Sequence, residues 1–133
     1  MAGKFITAGE TQMATLDWGR VGWLSNPALT DAARLAIVEG HLFPGKGHDF
    51  HKHPNQEEVI FVVAGRIEQW IDRDKRVLGP GDAAFIPPDV VHASFNVSAG
   101  EAKLLAIFGP CVGEGFEMVD MASEAPWNSL RSR

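Results

Sequence analysis

Cysteine, long apolar runs and positive charge are all scarce in this sequence, and each shortage excludes a class of protein. Cys111 is the only cysteine, so no internal disulfide can form, which fits a reducing compartment. No apolar run is long enough to span a membrane. Residues 1–7 lack the apolar stretch of a secretory signal. We therefore expect a cytoplasmic protein with no membrane partner.

The charge balance argues against nucleic acid as a partner. Lysine and arginine number 12 against 17 aspartates and glutamates, which gives a formal net charge of −5 at pH 7. A negative chain gives no reason to expect attraction to phosphates, and no helix-turn-helix pattern is present. Binding of DNA or RNA is therefore not expected.

Short strand-like segments separated by glycine and proline turns predict an all-β fold. An apolar, β-branched run begins at Leu35, and a continuous apolar run lies between Glu58 and Gly65. The predicted strands cover residues 35–43, 59–64, 66–71, 83–86, 90–97 and 102–108, with turns at residues 44–45 and 79–81. Short strands at this spacing are typical of a sandwich or barrel.

The length of 133 residues suits one domain with a buried core. We expect a single domain over residues 1–133, with its metal-binding core at residues 35–108. Residues 1–30 are interpreted as an irregular or short-stranded lead-in, with at most short helices near the ends of the chain. Residues 109–133 form an apolar tail that should pack on its own barrel or on a second subunit.

Four side chains of the kinds that bind metal ions stand in two segments: His51, His53, Glu58 and His92. His51 and His53 are two residues apart, so on a strand they point to the same face and can reach one ion. Glu58 follows a short Pro-Asn turn. Three imidazoles and one carboxylate suit a borderline divalent ion and leave octahedral positions open for a substrate. The sequence therefore predicts one divalent transition-metal ion, namely Mn, Fe, Ni or Zn.

These two segments resemble the cupin family. The first runs from Gly45 to Gly65 and fits the cupin pattern Gly, five residues, His-x-His, four residues, Glu, six residues, Gly. The second covers residues 81–96 and fits Gly, five residues, Pro-x-Gly, two residues, His, three residues, Asn, with Asp89 in place of the second Gly. Asp tolerates a left-handed turn better than most residues, so we expect this turn to survive.

The resemblance implies a fold, a site and a broad chemistry. The fold is a double-stranded β-helix, also called a jelly roll or cupin barrel, with the metal inside. The pattern's six-residue step back from Gly65 selects Glu58 as the acidic ligand, although Glu57 is an alternative by position. Period-two alternation then turns Glu57 to the opposite face, where we expect a solvated carboxylate.

Several further residues have open roles at this stage. We expect His48 to be a surface residue, or else to touch a substrate from the mouth of the barrel, and His41 to be a bonded core or surface group. Gln69 faces either a substrate or solvent, and Ser94 shares the face of His92. Asn96 should anchor the backbone. We interpret one set of aromatic side chains as barrel packing: Phe61, Phe85, Phe95 and Phe108.

Our first functional hypothesis is a metal-dependent, oxygen-using enzyme, similar to a dioxygenase, that acts on a small polar or aromatic molecule. The first alternative is a non-catalytic protein that uses the metal to anchor a small molecule. The second is a metal-dependent isomerase or decarboxylase. No catalytic residue beyond the ligands is assigned, because Gln69 and Ser94 are poor acid–base groups.

A homodimer is predicted from the ends of the chain. Trp18, Trp23, Trp127 and the apolar tail add hydrophobic area outside the strands of the barrel. Large exposed apolar patches usually mark an interface, and sheet edges also need cover. The alternative is that both ends fold over their own barrel.

Overall fold

Two antiparallel sheets pack face to face in the computed structural model, which describes residues 3–131. The six-stranded sheet has the order β1-β2-β3-β10-β5-β8, and the five-stranded sheet has the order β11-β4-β9-β6-β7. The strands are β1 Met13–Thr15, β2 Gly19–Ser25, β3 Ala36–Leu42, β4 Gly47–Lys52, β5 Glu57–Ala64, β6 Ile67–Ile71, β7 Asp74–Leu78, β8 Ala83–Ile86, β9 His92–Asn96, β10 Ala102–Gly109 and β11 Val119–Asp120. The all-β jelly roll predicted from the sequence is confirmed.

Helix is limited to short segments in the described part of the chain. A 3₁₀ turn spans Ala8–Glu10, and two four-residue helices follow, α1 Pro27–Thr30 and α2 Trp127–Leu130. Asn26 caps α1, because its side chain accepts a 2.8 Å hydrogen bond from the Leu29 amide. Within residues 3–131, no helix is long and apolar enough to cross a membrane.

The lead-in contains more regular structure than the sequence predicted. β2 has seven residues and pairs along its length with β3. The sequence did not predict β2 as a strand because β2 contains two glycines, and glycine lowers strand propensity. Close packing explains why they are there: a Cβ on Gly19 would overlap the His41 carbonyl oxygen, and one on Gly22 would lie 2.5 Å from Met13 Sδ.

The main hydrophobic cluster lies between the sheets. Ile60, Val62 and Leu104 come from the six-stranded sheet, whereas Ile67 and Leu78 come from the five-stranded one. β10 shows the alternation that this requires, with every second residue buried. Apolar burial between the two layers therefore supplies the main driving force of the fold.

A second cluster covers the outer face of the five-stranded sheet. Phe50, Trp70 and Phe95 are buried there under three residues of the tail: Met121, Trp127 and Leu130. Both faces of β9 are therefore covered, and all five of its residues are buried. The tail therefore packs on its own barrel, which is one of the two arrangements predicted from the sequence. The homodimer stays a prediction, as does a location in the cytoplasm.

Two phenylalanines that we interpreted as barrel packing lie outside the core. Phe61 is 37% exposed and Phe85 is 53% exposed. Phe61 faces outward because Glu58, Ile60 and Val62 occupy the inward positions of β5. Phe85 faces outward because Ala84 and Ile86 occupy the inward positions of β8. The interpretation was wrong for these two residues. It holds for Phe95 and Phe108, which are each 4% exposed.

Asp89 adopts the left-handed conformation expected of it. Its φ is 66°, the region that the glycine of the cupin pattern would favour. The Asp89 amide donates a hydrogen bond to the carbonyl oxygen of His53 at 3.0 Å. Its carboxylate lies 2.9 Å from Lys52 Nζ. The turn therefore survives, and it ties the segment before His92 to the segment that carries His53.

Gly47, at the start of β4, provides a test of this packing. A Cβ there would overlap the Ser94 carbonyl oxygen and lie 2.6 Å from Phe95 Cα. We expect Gly47→Ala to lower the free energy of unfolding by about 2–3 kcal/mol, because backbone atoms must move apart. Urea denaturation followed by circular dichroism measures the change.

Gly100→Ala is the matched control for that measurement. A Cβ on Gly100 meets no atom within 4 Å, so a change within about 0.5 kcal/mol is expected. Equal stability of the two variants would contradict the close approach of β4 to β9.

Candidate metal centre

The four predicted ligands come from three neighbouring parts of the fold. His51 lies on β4 and His92 begins β9, and the two residues are directly paired across these strands. His53 follows the end of β4, and Glu58 lies on β5 of the opposite sheet. The candidate site therefore sits between the two sheets, inside the barrel.

One potential ligand atom from each of these four residues lies within 4.8 Å of the other three. All four side chains are buried, with exposures of 5% for His51, 3% for His53, 2% for Glu58 and 1% for His92. Such a cluster matches the size of a single-ion site. The structure thus brings together every residue that the sequence assigned to the metal.

Each of the three imidazoles has one nitrogen engaged by a backbone carbonyl. His51 Nδ1 lies 2.6 Å from the Asp49 oxygen, and His92 Nδ1 lies 3.0 Å from the Val90 oxygen. His53 Nδ1 lies 2.6 Å from the Glu117 oxygen. A carbonyl oxygen can only accept, so each Nδ1 carries a proton. Each neutral ring therefore keeps the lone pair of Nε2, the form that binds a metal.

Glu58 adds a carboxylate to these lone pairs. Glu58 Oε1 lies 2.7 Å from His92 Nε2 and 3.2 Å from His53 Nε2. These three atoms are buried, and their contacts lack the geometry of hydrogen bonds. Buried acceptors pointing at one another are unfavourable unless a cation or a proton lies among them. The arrangement therefore fits a bound cation, and two nitrogens, one oxygen and the His51 imidazole are a suitable donor set for a transition metal.

Burial and neighbouring groups place Glu58 and His51 in their metal-binding protonation states. Burial alone would raise the pKa of Glu58, but a proton shared with His53 or His92 outweighs it and lowers that pKa to about 2, and a bound cation would take the place of this proton. Burial, followed by the neighbouring imidazoles of His48 and His92, holds the pKa of His51 well below 6.5. At neutral pH the carboxyl group is therefore ionised and the His51 ring is neutral.

A cavity of about 370 Å³ opens from these ligands. Most of its other lining side chains are apolar or aromatic: Ala14, Leu16, Trp18, Val21, Trp23, Val38, Leu42, Ile60, Leu104, Ala106, Phe108, Phe116 and Met118. The polar ones are Gln12, His48 and Ser94. This is the composition of a small-molecule pocket, with few polar groups in an apolar surface.

His48 lines this cavity, so the expectation of a surface residue was wrong. A β-bulge explains its position. The pairing of β4 with β9 shifts register between His48 and His51, and the extra residue turns both rings to the inner side although they are three positions apart. The two rings stack with centroids 3.7 Å apart, and Trp18 stacks on His48 at 4.8 Å. Burial, with smaller effects from the neighbouring charges, lowers the pKa of His48 to about 4.

The other polar residues have structural partners. Gln69 faces inward, where its Oε1 accepts a 2.6 Å hydrogen bond from the Ser94 hydroxyl. The Asn96 amide donates to the carbonyl oxygens of Leu42 and Gly100, so it anchors the backbone as expected. His41 is bonded to a carboxylate outside the cavity, and Glu57 is exposed.

Sequence reasoning missed the contribution of the tail. Gln56 is 1% exposed, and its amide donates to the carbonyl oxygens of Pro110 and Gly115 while its oxygen accepts from the Glu117 amide. These bonds place the Glu117 carbonyl against His53. No sequence signal could have shown this, because a backbone carbonyl is common to every residue. Trp18 and Trp23 were noticed only as apolar area, and a lining role was not assigned.

Comparison with known proteins identifies the family. The model of the family described as "Cupin domain" matches residues 38–108. This chain is a member of the cupin family. It is similar to Protein SchB of Streptomyces halstedii, with 37% identity over 92 residues that make up 69% of this chain and 67% of that protein. Polyketide synthase CurC of Streptomyces cyaneus is 34% identical over 76 residues, 57% of this cupin and 47% of the relative.

Solved structures agree on the fold. KdgF from Halomonas sp. superposes with a TM-score of 0.75 at 20% identity, over 84% of this cupin and 96% of that chain. At such identity the likeness supports the fold alone. The family match and the buried donor set make this chain a cupin with a candidate metal site and an adjoining cavity of small-molecule size.

The lowered pKa of His48 predicts a pH dependence of stability. The unfolded state binds a proton near pH 6.5 and the folded state only near pH 4, so metal-free protein loses stability as the pH falls through this window. Between pH 8 and pH 5 the loss from this one group amounts to at most about 2 kcal/mol. His48→Gln should remove that part of the loss, measured by urea denaturation at each pH.

His41→Gln is the control for the pH series. His41 lies outside the cavity and is bonded to Glu39 at 2.7 Å. Its variant should keep the acid sensitivity of the wild type. A His48→Gln protein that is as acid-sensitive as the wild type would contradict the desolvation of His48.

Proposed function

We propose that this cupin is an enzyme that holds one divalent transition-metal ion through His51, His53, Glu58 and His92 and acts on a small molecule in the adjoining cavity. The observation that carries the proposal is the convergence of buried acceptor atoms on one point. Three imidazoles have their Nδ1–H groups fixed by backbone carbonyls, and one ionised carboxylate faces them.

The ligand set also defines the charge at the site. Glu58 compensates one of the two positive charges of a divalent ion, so a net charge of about +1 remains to attract an anionic or polarisable substrate group. Depending on the metal, the bound ion would supply either Lewis-acid or redox chemistry. Imidazole and carboxylate ligands are compatible with Mn, Fe, Ni and Zn, so the metal must be measured.

Within that class we propose an oxygen-using reaction, as in a dioxygenase. Isomerisation and decarboxylation move protons, and they require a placed acid or base. Apart from the four ligands, His48 is the only titratable side chain that lines the cavity within the described residues. Its low pKa makes it a weak base. Addition of both atoms of dioxygen to the substrate takes its electrons from the substrate and needs no external reductant.

The apolar walls support the same reaction class. They admit dioxygen and keep bulk water away from the reacting atoms. A relative named as a polyketide synthase supports a carbon-rich substrate. The non-catalytic alternative is supported by the bond between Gln69 and Ser94, because it leaves Ser94 without a free proton to donate to a substrate.

The metal assignment is tested by replacing the charged ligand. Glu58→Gln keeps the shape and removes the negative charge. We expect its affinity for Zn(II) or Mn(II) to fall by about a hundred-fold or more. Isothermal titration calorimetry gives the affinity, and mass spectrometry of the purified protein gives the metal content.

Glu57→Gln is the matched control, since it makes the same change one residue away on the exposed face of β5. It should retain wild-type affinity. Equal metal affinity of the Glu57→Gln and Glu58→Gln variants would contradict the assignment of Glu58 as a ligand.

The reaction class is tested with an oxygen electrode. Protein loaded with Fe(II) or Mn(II) should consume dioxygen in the presence of a phenolic or enolic substrate, and protein loaded with Zn(II) should not, because zinc has no redox chemistry. His92→Ala should abolish the uptake, and His41→Ala should not change it. Turnover by the Zn(II) form without oxygen uptake would favour an isomerase or decarboxylase, and binding without any turnover would favour the non-catalytic alternative.

A further inference from the structure

The cavity is almost without charge. Within residues 3–131, Glu58 is the only Asp, Glu, Lys or Arg side chain that lines it. A small dianion such as oxalate or a sugar phosphate would lose its hydration on entry and gain no cationic side chain in return. The bound ion alone, with its net charge of about +1, could not compensate two negative charges. A neutral molecule with a large apolar surface suits these walls better.

Two series of aromatic contacts lead from the walls to the candidate ligands. In the first series Trp18 stacks on His48 with planes 9° apart, and His48 stacks on His51 with planes 16° apart. Trp18, at the end of this stack, lines the cavity with a flat ring, which favours a flat ligand.

The second series runs from Trp23 through two phenylalanines. Trp23 meets Phe116 at 5.5 Å, Phe116 stacks on Phe108 at 5.3 Å, and Phe108 meets the edge of His53 at 4.8 Å. Four of the rings in the two series are apolar wall residues of the cavity, namely Trp18, Trp23, Phe108 and Phe116. Aromatic surface therefore extends from the interior to both imidazoles of the His-x-His pair.

One polar side chain on the walls is free to contact a ligand close to the metal site. The Ser94 hydroxyl proton is used in the bond to Gln69. In the described part of the chain, the His48 ring makes no hydrogen bond with a protein group, and its two stacking partners leave the ring edge as its polar surface. A neutral imidazole edge can donate to or accept from a single hydroxyl group.

We propose that this cavity binds a planar, mainly apolar aromatic molecule, such as a two-ring phenol, with its ring against Trp18 and Phe116 and its hydroxyl group at the metal site beside His48. This inference rests on the proposed function in taking the cavity as the substrate site. His48 acts as a positioning residue, and Trp18 sets the preference for flat rings.

The test is equilibrium dialysis of the full chain with 2-naphthol, in the Zn(II)-loaded form, which cannot consume oxygen, and in the metal-free form. We expect saturable binding in both forms. Naphthalene, which lacks the hydroxyl group, and oxalate, a small dianion, are the comparison ligands. A ten-fold excess of oxalate should leave bound 2-naphthol in place.

Three variants assign the contacts. Trp18→Ala should weaken binding of both 2-naphthol and naphthalene about ten-fold, because a stacking surface is lost. His48→Phe keeps a ring in the stack and removes the polar edge, so it should weaken 2-naphthol about five-fold and leave naphthalene unchanged. Phe85→Ala removes an exposed ring outside the cavity and should change neither affinity.

Met118→Lys provides a second test of the cavity in case Trp18→Ala fails to fold. Met118 lines the cavity and is 46% exposed, so the substitution is tolerated by the core. The added cation should weaken 2-naphthol and favour oxalate. Displacement of 2-naphthol by oxalate from the wild type, or unchanged 2-naphthol affinity in both Trp18→Ala and Met118→Lys, overturns the inference.

Failure of the two proposals can be told apart. If 2-naphthol binds as described but no metal-loaded form turns over any phenol, the enzyme proposal fails and the ligand class stands. If a metal-loaded form turns over a charged, non-aromatic substrate and 2-naphthol does not bind, the ligand class fails and the enzyme proposal stands.

Discussion

The centre of this cupin depends on an electrostatic constraint: three imidazole lone pairs and a carboxylate face one another where water is largely excluded. Buried acceptors of this kind are unfavourable alone, yet the fold holds each imidazole in place through a backbone contact of its own. The Nδ1 bonds to the carbonyl oxygens of Asp49, Val90 and Glu117 determine which nitrogen faces the centre. The orientation of the donor atoms thus depends on the backbone that surrounds these side chains as much as on the side chains themselves.

The sequence predicted the fold, and it also selected the four side chains that the fold brings together, because both are carried by local patterns. Strand alternation assigned Glu58 and Glu57 to opposite faces, and the structure places one inside and the other outside. The left-handed turn at Asp89 followed from the same kind of local rule. The two outward phenylalanines, Phe61 and Phe85, were misassigned because apolar character alone does not say which face of a strand is covered.

Other features depend on contacts between distant segments. The position of His48 could not be predicted without the β-bulge, which shifts the pairing of β4 with β9 between His48 and His51. Trp23 comes from the lead-in and Phe116 from the tail, and their ring contact across the cavity wall has no signature in the sequence. The chemical character of the cavity was therefore visible only once the two ends of the chain were seen to fold over the barrel.

The bond between His53 and the Glu117 carbonyl also bears on when the site forms. His53 gains its ring orientation only after residues 110–117 have docked on Gln56. During synthesis the segments that carry the other candidate ligands leave the ribosome before residues 110–117, and a domain generally folds as a unit. Until then His53 can rotate, and the donor set is one oriented ligand short. The complete donor set is thus a late product of chain synthesis, because it depends on the tail as well as on the strands that precede it.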